Sequence, residues 1–273
     1  MKKEKYDWVY LDFSQSFVYG LFIDSKVPKI LMCHDVVSQY YWRRKSVLNY
    51  KWASWTEKKI LGQKNSTIFS FSEKDKAIIS EQYGYSSFVT SFYISDMITQ
   101  LHYPISRENW FVFYGAWNRI ENSESLCYFL DKILPLLDTS FSFKIIGGGL
   151  CELIKKRIEK YPNIEYIGFV DNPYEYLARS RALIAPLKKG AGVKVKVIEA
   201  IACGCPVIGT DIAFEGISEN FRDMMFEVTS VDDYKNVIEN VDVDFEKRAY
   251  FRNLMIDSCN NKAIVKYLNR ENI

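Results

Sequence analysis

Along most of the chain, short runs of β-branched and aromatic residues alternate with stretches whose apolar positions recur at helical spacing, the pattern of parallel strands joined by crossover helices. In the first part this pattern predicts strands at Trp8–Phe13, Lys29–Cys33, Thr67–Ser70 and Phe88–Ser91, with helices over Lys45–Leu61 and Glu73–Gln82. Asp35 or Ser38 is placed to cap the segment after the second strand. Ser72 is placed to cap the helix after the third, with Asp75 in its first turn.

The second part gives strands at Trp110–Tyr114, Ser142–Ile146, Ile164–Ile167, Ala182–Ala185 and Pro206–Gly209. Between them lie helices at Ser123–Leu137, Cys151–Lys160, Pro173–Arg179 and Lys194–Ala202. Val231–Val241, Phe245–Asp257 and the end of the chain also carry helical spacing, so the class is α/β. Met97–Glu108 has no clear period and is interrupted by Pro104, which sets a boundary there. The expected organisation is a Rossmann-like domain over 1–100, a second over 106–230, and C-terminal helices over 231–273. The first domain starts abruptly at residue 8 and is expected to be incomplete.

Composition narrows the class of partner. With 273 residues, 48% hydrophobic and 26% charged, the chain is neither disordered, collagen-like nor a small disulfide scaffold. Lys and Arg number 36 against 34 acids, which gives no basic footprint for nucleic acid. The basic stretches Trp42–Lys45 and Glu57–Lys59 are short and predicted to be solvated helix faces. No apolar run approaches the roughly 20 residues that cross a bilayer, and the charged Met1–Lys5 is not followed by a signal-like segment. The six scattered cysteines suit reduced, buried thiols in the cytoplasm. Cys203 and Cys205 form a C-x-C without a second pair at zinc spacing, so no metal site is expected.

The chemistry concentrates between Ala185 and Gly209. A strand ends at Pro186, a loop carries Gly190 and Gly192, and a helix starts near Val193 and ends at Gly204. Glycines permit close backbone approach, and the amides and positive dipole end of a helix at the carboxyl edge of a parallel sheet make an anion site. Lys194 and Lys196 fall in the first turn, where cations oppose the dipole unless an anion compensates them. Glu199 follows one turn after Lys196 on nearly the same face, an anion clamp with a hydroxyl acceptor behind it. Helix-start lysines also pair with glutamate simply for solubility.

The run from Gly190 to Ile217, with Glu199 inside it and Glu215-Gly216-Ile217 at its end, resembles the donor-binding signature of retaining, group-one glycosyltransferases of the GT-B fold. Phe111–Gly115, Phe143–Gly149 and Ile164–Asp171 resemble that family's preceding strands and loops, in family order. The resemblance covers about residues 30–220 and implies two Rossmann-type parallel-sheet domains holding a nucleoside-diphosphate sugar, with no cofactor. It further implies that Glu199 accepts the ribose hydroxyls, that Lys196, with Lys194, binds the diphosphate, and that the backbone of Gly190, Ala191 and Gly192 approaches the donor. Gly115 would let its domain come close to the donor, and the backbone around Val170 would meet the base. Ile30–Asp35 resembles the strand whose terminal histidine, His34 here, reaches the donor sugar; the residues alone equally suit a buried structural His34. His102 is predicted to lie at the surface.

Two departures stand out. Many relatives carry a glutamate eight positions before the one matched by Glu199, where this chain has Ala191, so backbone amides must replace a side-chain contact to the sugar. The first domain also lacks the expected leading strands, which leaves acceptor recognition open. The implied reaction is front-face transfer to a glycan or lipid-linked hydroxyl, in which the departing diphosphate helps deprotonate the acceptor and lysine and dipole replace a metal. Asp242-Val243-Asp244 spells the metal-diphosphate ligand of another glycosyltransferase fold, but lies beyond the last strand, where Asp244 is a natural helix cap.

A reading from a different class is a nucleotide-sugar-binding subunit without transferase activity that docks a partner chain. The aromatic stretch Ser38–Trp55 (Tyr40, Tyr41, Trp42, Tyr50, Trp52, Trp55) would serve for docking or for contact with a membrane-bound acceptor lipid on the inner membrane face. Clustered aromatics more often form core or a helix seam. An incomplete sheet edge would favour pairing with a second copy or another chain. Gly147-Gly148-Gly149 follows a strand but lacks the spacing of a nicotinamide site.

Overall fold

The computed structural model describes residues 6–103 and 106–269. Pro104 and the charged start at Met1–Lys5 lie outside the described residues. The chain divides into two units, one made of residues 1–92, 191–193 and 260–273, the other of 93–190 and 194–259.

Among the described residues the first unit holds four parallel strands in sequential order, β1 (Val9–Asp12), β2 (Lys29–Cys33), β3 (Ser66–Ser70) and β4 (Ser87–Val89). Every residue of β2 is buried, because side chains alternate between two covered faces. Leu31 and Cys33 pack with Phe17, Ile60, Leu61 and Ile79 on one side. Ile30, Met32 and Phe69 meet Ile264 and Tyr267 of the last helix, Lys262–Leu268, on the other. That helix is pinned by the Tyr267 hydroxyl, 2.9 Å from Thr67 Oγ1, and by Ser91 Oγ, which accepts the amides of Asn260 and Asn261.

The segment after β2 forms a helix, Val37–Arg43, that neither Asp35 nor Ser38 caps. Its N-cap is Val36, and its first amides instead donate to Glu57 of the next helix, Val47–Leu61: Val37 N at 2.6 Å and Ser38 N at 3.0 Å. Glu57 is therefore buried (4% exposed) rather than part of a solvated basic face; only Lys58 and Lys59 of that trio are exposed. Ser72 caps its helix as the sequence predicts, accepting the amide of Asp75 at 3.0 Å.

Among the described residues the second unit holds six parallel strands in the order β10-β9-β8-β5-β6-β7. These are β5 (Trp110–Tyr114), β6 (Ser142–Ile146), β7 (Ile164–Gly168), β8 (Leu183–Ala185), β9 (Val207–Gly209) and β10 (Met225–Glu227). The chain runs outward from β5 to β7, returns to lay β8 on the other side of β5, and runs outward again to β10. The order thus reverses between β5 and β8, and a crevice opens outside the carboxyl ends of these two strands. The sequential first sheet has no such reversal among the described residues.

The boundary falls earlier than the sequence places it. Residues 93–103 belong to the second unit, where Ile98 carbonyl oxygen accepts from buried Arg252 at 2.9 Å. The C-terminal helices do not form a separate layer. Val231–Asn240 and Phe245–Ser258 belong to the second unit, whereas Lys262–Leu268 belongs to the first. Arg248 fixes the middle one by donating to the carbonyls of Ala178 (3.1 Å) and Ser180 (3.0 Å). Asp244 caps this helix, accepting Lys247 N at 2.8 Å, and Asp242 pairs with Arg107, so both acids of the Asp-x-Asp have structural work.

Candidate functional site

The loops after β5 and β8 flank the switch point. After β5, Gly115 (φ +157°) leads into Trp117, whose indole N–H donates to the carbonyl of Ile146 at 3.0 Å. Gly147, at the end of β6, holds φ +116°, and a Cβ there would sit 1.9 Å from the Gly115 carbonyl oxygen. Only glycine permits this approach of the two turns. After β8, the loop with Gly190 (φ +136°) leads into helix Val195–Ala202, whose N-cap is Lys194 and which no side chain caps. Five of its eight residues are buried, including Val197, Ile198 and Ile201, which locks the helix start to the sheet edge.

The two lysines are compensated in different ways. Lys194 pairs with Glu215 at 3.5 Å, and both side chains are nearly buried, 12% and 8% exposed. Glu215 thus supplies the anion that a cation at this helix end requires. Among the described residues Lys196 pairs with no carboxylate. Its ammonium donates to Asn122 Oδ1 at 2.8 Å, and Asn122 in turn donates to the Ala116 carbonyl at 2.8 Å. Part of the Lys196 chain stays accessible, but its ammonium is enclosed, and this burial, with repulsion from Lys194 and Arg119, pulls its pKa down to about 7. A cation held this way favours an anion beside it.

Glu199, one turn along, accepts the Tyr174 hydroxyl at 3.0 Å and a hydrogen bond from Tyr114. Burial raises its pKa, and the two tyrosines partly offset that rise. Tyr174 itself is pushed up to about 12 by burial and by the Glu199 charge. The two phenols fix the carboxylate while it keeps unused acceptor capacity.

The second unit therefore brings Gly115, Gly190, Lys194, Lys196 and Glu199 to one sheet edge. Val170 stands two residues past β7, on the far side of β6 from β5, and is half-buried. Ala191 and Gly192 fall with the first unit, where a Cβ on Gly192 (φ +66°) would lie 2.8 Å from the His34 carbonyl oxygen. His34, just past β2, is held tightly. Its Nε2 donates to Asp12 at 2.7 Å, and its ring stacks on Phe13 at 3.8 Å and meets Phe71 edge-on at 4.8 Å. Phe13 adopts φ 64°, ψ 143°, a conformation costly for any residue with a side chain and characteristic of functional neighbourhoods. His102 is exposed.

Tyr114, Asn122 and Tyr174 are the site residues that sequence reasoning misses. Tyr114 is adjacent to the flagged Gly115, the one local hint. Among the described residues no group of three or more His, Cys, Asp or Glu is placed to hold a metal ion. The six cysteines are unbridged; Cys33, Cys203 and Cys205 are buried as expected, but Cys151 at a helix N-cap is exposed.

Two parallel-sheet α/β units, the second carrying a glycine-lined switch point, define the GT-B fold. Residues 108–241 match the family "Glycosyl transferases group 1". Among solved structures, the chain is similar to TarM (18% identity, TM-score 0.70, covering 98% of this chain and 56% of TarM). It is similar also to sucrose-phosphate synthase from Thermosynechococcus elongatus (16% identity, TM-score 0.70, covering 98% and 73%). A third is Anabaena Alr3699/HepE in complex with UDP and glucose (14% identity, TM-score 0.71, covering 97% and 78%). The chain thus spans little more than half the length of TarM. No curated protein matches it in sequence.

Proposed function

We propose that the chain transfers a sugar from a nucleoside-diphosphate sugar to a hydroxyl of a glycan or lipid-linked acceptor, with retention of configuration and without a metal. The observation that carries this reading is the buried Lys196–Asn122 pair beside tyrosine-held Glu199 at the β5/β8 switch point. The structure of HepE in complex with UDP-glucose, on the same fold at 13% identity, makes UDP-sugars the first donors to test. In this reading the bond from the sugar's anomeric carbon to the diphosphate oxygen breaks as the acceptor oxygen bonds that carbon from the same face, Lys196 and the helix N-terminus stabilise the charge that develops on the leaving group, and the acceptor proton passes to a diphosphate oxygen. Glu199 accepts the ribose hydroxyls, and Val170 backbone meets the base. To His34, oriented by Asp12, we assign contact with the transferred sugar. The unbridged cysteines suit a reducing compartment such as the cytoplasm, and no described helix is long and apolar enough to cross a membrane.

The experiment is a thermal-shift and turnover screen against UDP-, GDP- and ADP-sugars. A donor at 100 times its dissociation constant stabilises the chain by about 2.7 kcal/mol, and release of free nucleoside diphosphate marks an enzyme rather than a binding subunit. Glu199→Ala weakens the donor by roughly 10- to 100-fold, the loss of hydrogen bonds to a charged acceptor. An unchanged shift in that variant removes Glu199 from the site.

The low pKa of Lys196 adds a pH signature. Below about 7 the lysine is already charged and affinity for UDP-glucose is flat. Above it the free chain loses that proton, while a bound diphosphate raises the lysine's pKa, so binding takes up a proton and weakens by up to about tenfold per pH unit. Titration calorimetry in buffers of different ionisation enthalpy reads the uptake directly; no uptake above pH 7 contradicts the assignment.

A further inference from the structure

Helix Val47–Leu61 buries Ala53, Glu57, Ile60 and Leu61. At 3.6 residues per turn the opposite face carries Leu48, Trp52 and Trp55, a row at i, i+4 and i+7, and these are 82%, 64% and 59% exposed. Water-facing helix surfaces ordinarily carry polar residues there. Lys51, Lys58 and Lys59 are exposed along the same helix, with the Lys59 ammonium 3.8 Å over the Trp55 ring. The preceding helix adds Trp42, 68% exposed, and the turn adds exposed Lys45. A cavity of about 610 Å³ lies between them, its walls including Tyr41, Trp42, Lys45, Val47, Tyr50 and Lys51.

The two helices themselves carry charge of almost one sign. From Val37 to Leu61 the sole acid is Glu57, which is buried and consumed as the cap of the neighbouring helix. Exposed tryptophan and leucine with lysines along the same helices is the composition of a helix lying in the boundary between headgroups and acyl chains of an anionic bilayer, where indoles sit at the headgroup level and ammonium groups meet lipid phosphates.

We propose that the surface formed by helices Val37–Arg43 and Val47–Leu61 docks on an anionic lipid bilayer. Trp42, Leu48, Trp52 and Trp55 enter the headgroup–acyl boundary, Lys45, Lys51, Lys58 and Lys59 contact lipid phosphates, and the cavity receives one headgroup.

The test is flotation of the full chain with vesicles of phosphatidylcholine alone or mixed with phosphatidylglycerol, without any donor, so its outcome is independent of transfer activity. The chain is expected to float with the anionic vesicles only and to be released by salt. Trp52→Ala/Trp55→Ala and Lys51→Glu/Lys58→Glu each weaken partitioning by about tenfold or more, with unchanged far-ultraviolet dichroism, whereas Tyr250→Ala, exposed in the second unit, leaves it intact. The wild-type dependence on lipid charge and salt stands even where a variant misfolds. The proposal is overturned by absence of flotation with anionic vesicles, by equal flotation with neutral ones, by full retention in both folded double variants, or by a dimer that the tryptophan variant dissolves, which would make a second copy the occupant.

Discussion

Replacing Lys196 by methionine is expected to lower transfer by about 10²–10³-fold, the cost of removing one preorganised group from a developing anion, while making the chain more stable. The two effects have one cause. The ammonium is enclosed, faces Lys194 and Arg119 rather than a carboxylate, and has its pKa held near 7 by burial. Keeping a cation there costs folding free energy, and replacing buried charge by apolar volume stabilises by about 1–4 kcal/mol in comparable settings. Asn122 loses its partner in the variant, which offsets part of that gain. A thermal melt of the ligand-free chain and a calorimetric titration with UDP-glucose separate the two terms. A variant that is both less stable and unimpaired in binding would show Lys196 to be a structural residue.

What the sequence reveals and what it hides follow from where each signal is written. Lys29–Cys33, Trp110–Tyr114 and Ser142–Ile146 are strands with the predicted bounds, because strands in covered parallel sheets are short runs rich in apolar residues. β10 escapes, being three residues at a sheet edge with one acid among them. Helix Val37–Arg43 escapes because its cap comes from Glu57, twenty positions downstream of Val37, so no local residue announces its start. The site divides in the same way. Gly190, Lys194, Lys196 and Glu199 are legible since one strand–loop–helix segment contains them all. Tyr114, Asn122 and Tyr174 come from other segments, and the return of the chain from β7 to the side of β5 brings Tyr114 and Asn122 to Glu199 and Lys196, while Glu215 follows β9, the neighbour of β8. The aromatics of Ser38–Trp55 show a third kind of limit. Helical spacing fits a seam or a surface equally well, and here Trp42, Trp52 and Trp55 face outward.

Glu57→Ala is expected to destabilise the first unit by about 3 kcal/mol or more. The carboxylate accepts from three buried or half-buried donors: Val37 N at 2.6 Å, Ser38 N at 3.0 Å and the Tyr83 hydroxyl at 2.6 Å. Each donor left unpaired away from water costs about 1–3 kcal/mol, and the helix that begins at Val37 loses the negative charge that complements its dipole. The Tyr83 hydroxyl can still turn to Ser38 Oγ, 2.8 Å away, so the loss stays below the sum of three orphaned donors. Burial raises the pKa of Glu57 while Tyr83 and the two amides pull it back, so the group contributes more in the interior as an acceptor than as a charge. Glu57→Gln keeps one oxygen and is expected to cost less than the alanine variant. Glu73→Ala serves as the surface control, since Glu73 is 74% exposed and its pairing with Lys76 contributes at most about 1 kcal/mol. Urea denaturation followed by tyrosine and tryptophan fluorescence gives the ordering, with Glu57→Ala lowest, Glu57→Gln between and Glu73→Ala near wild type. An alanine variant as stable as the control would show that water satisfies the amides of Val37 and Ser38, and that the helix holds its position through packing alone.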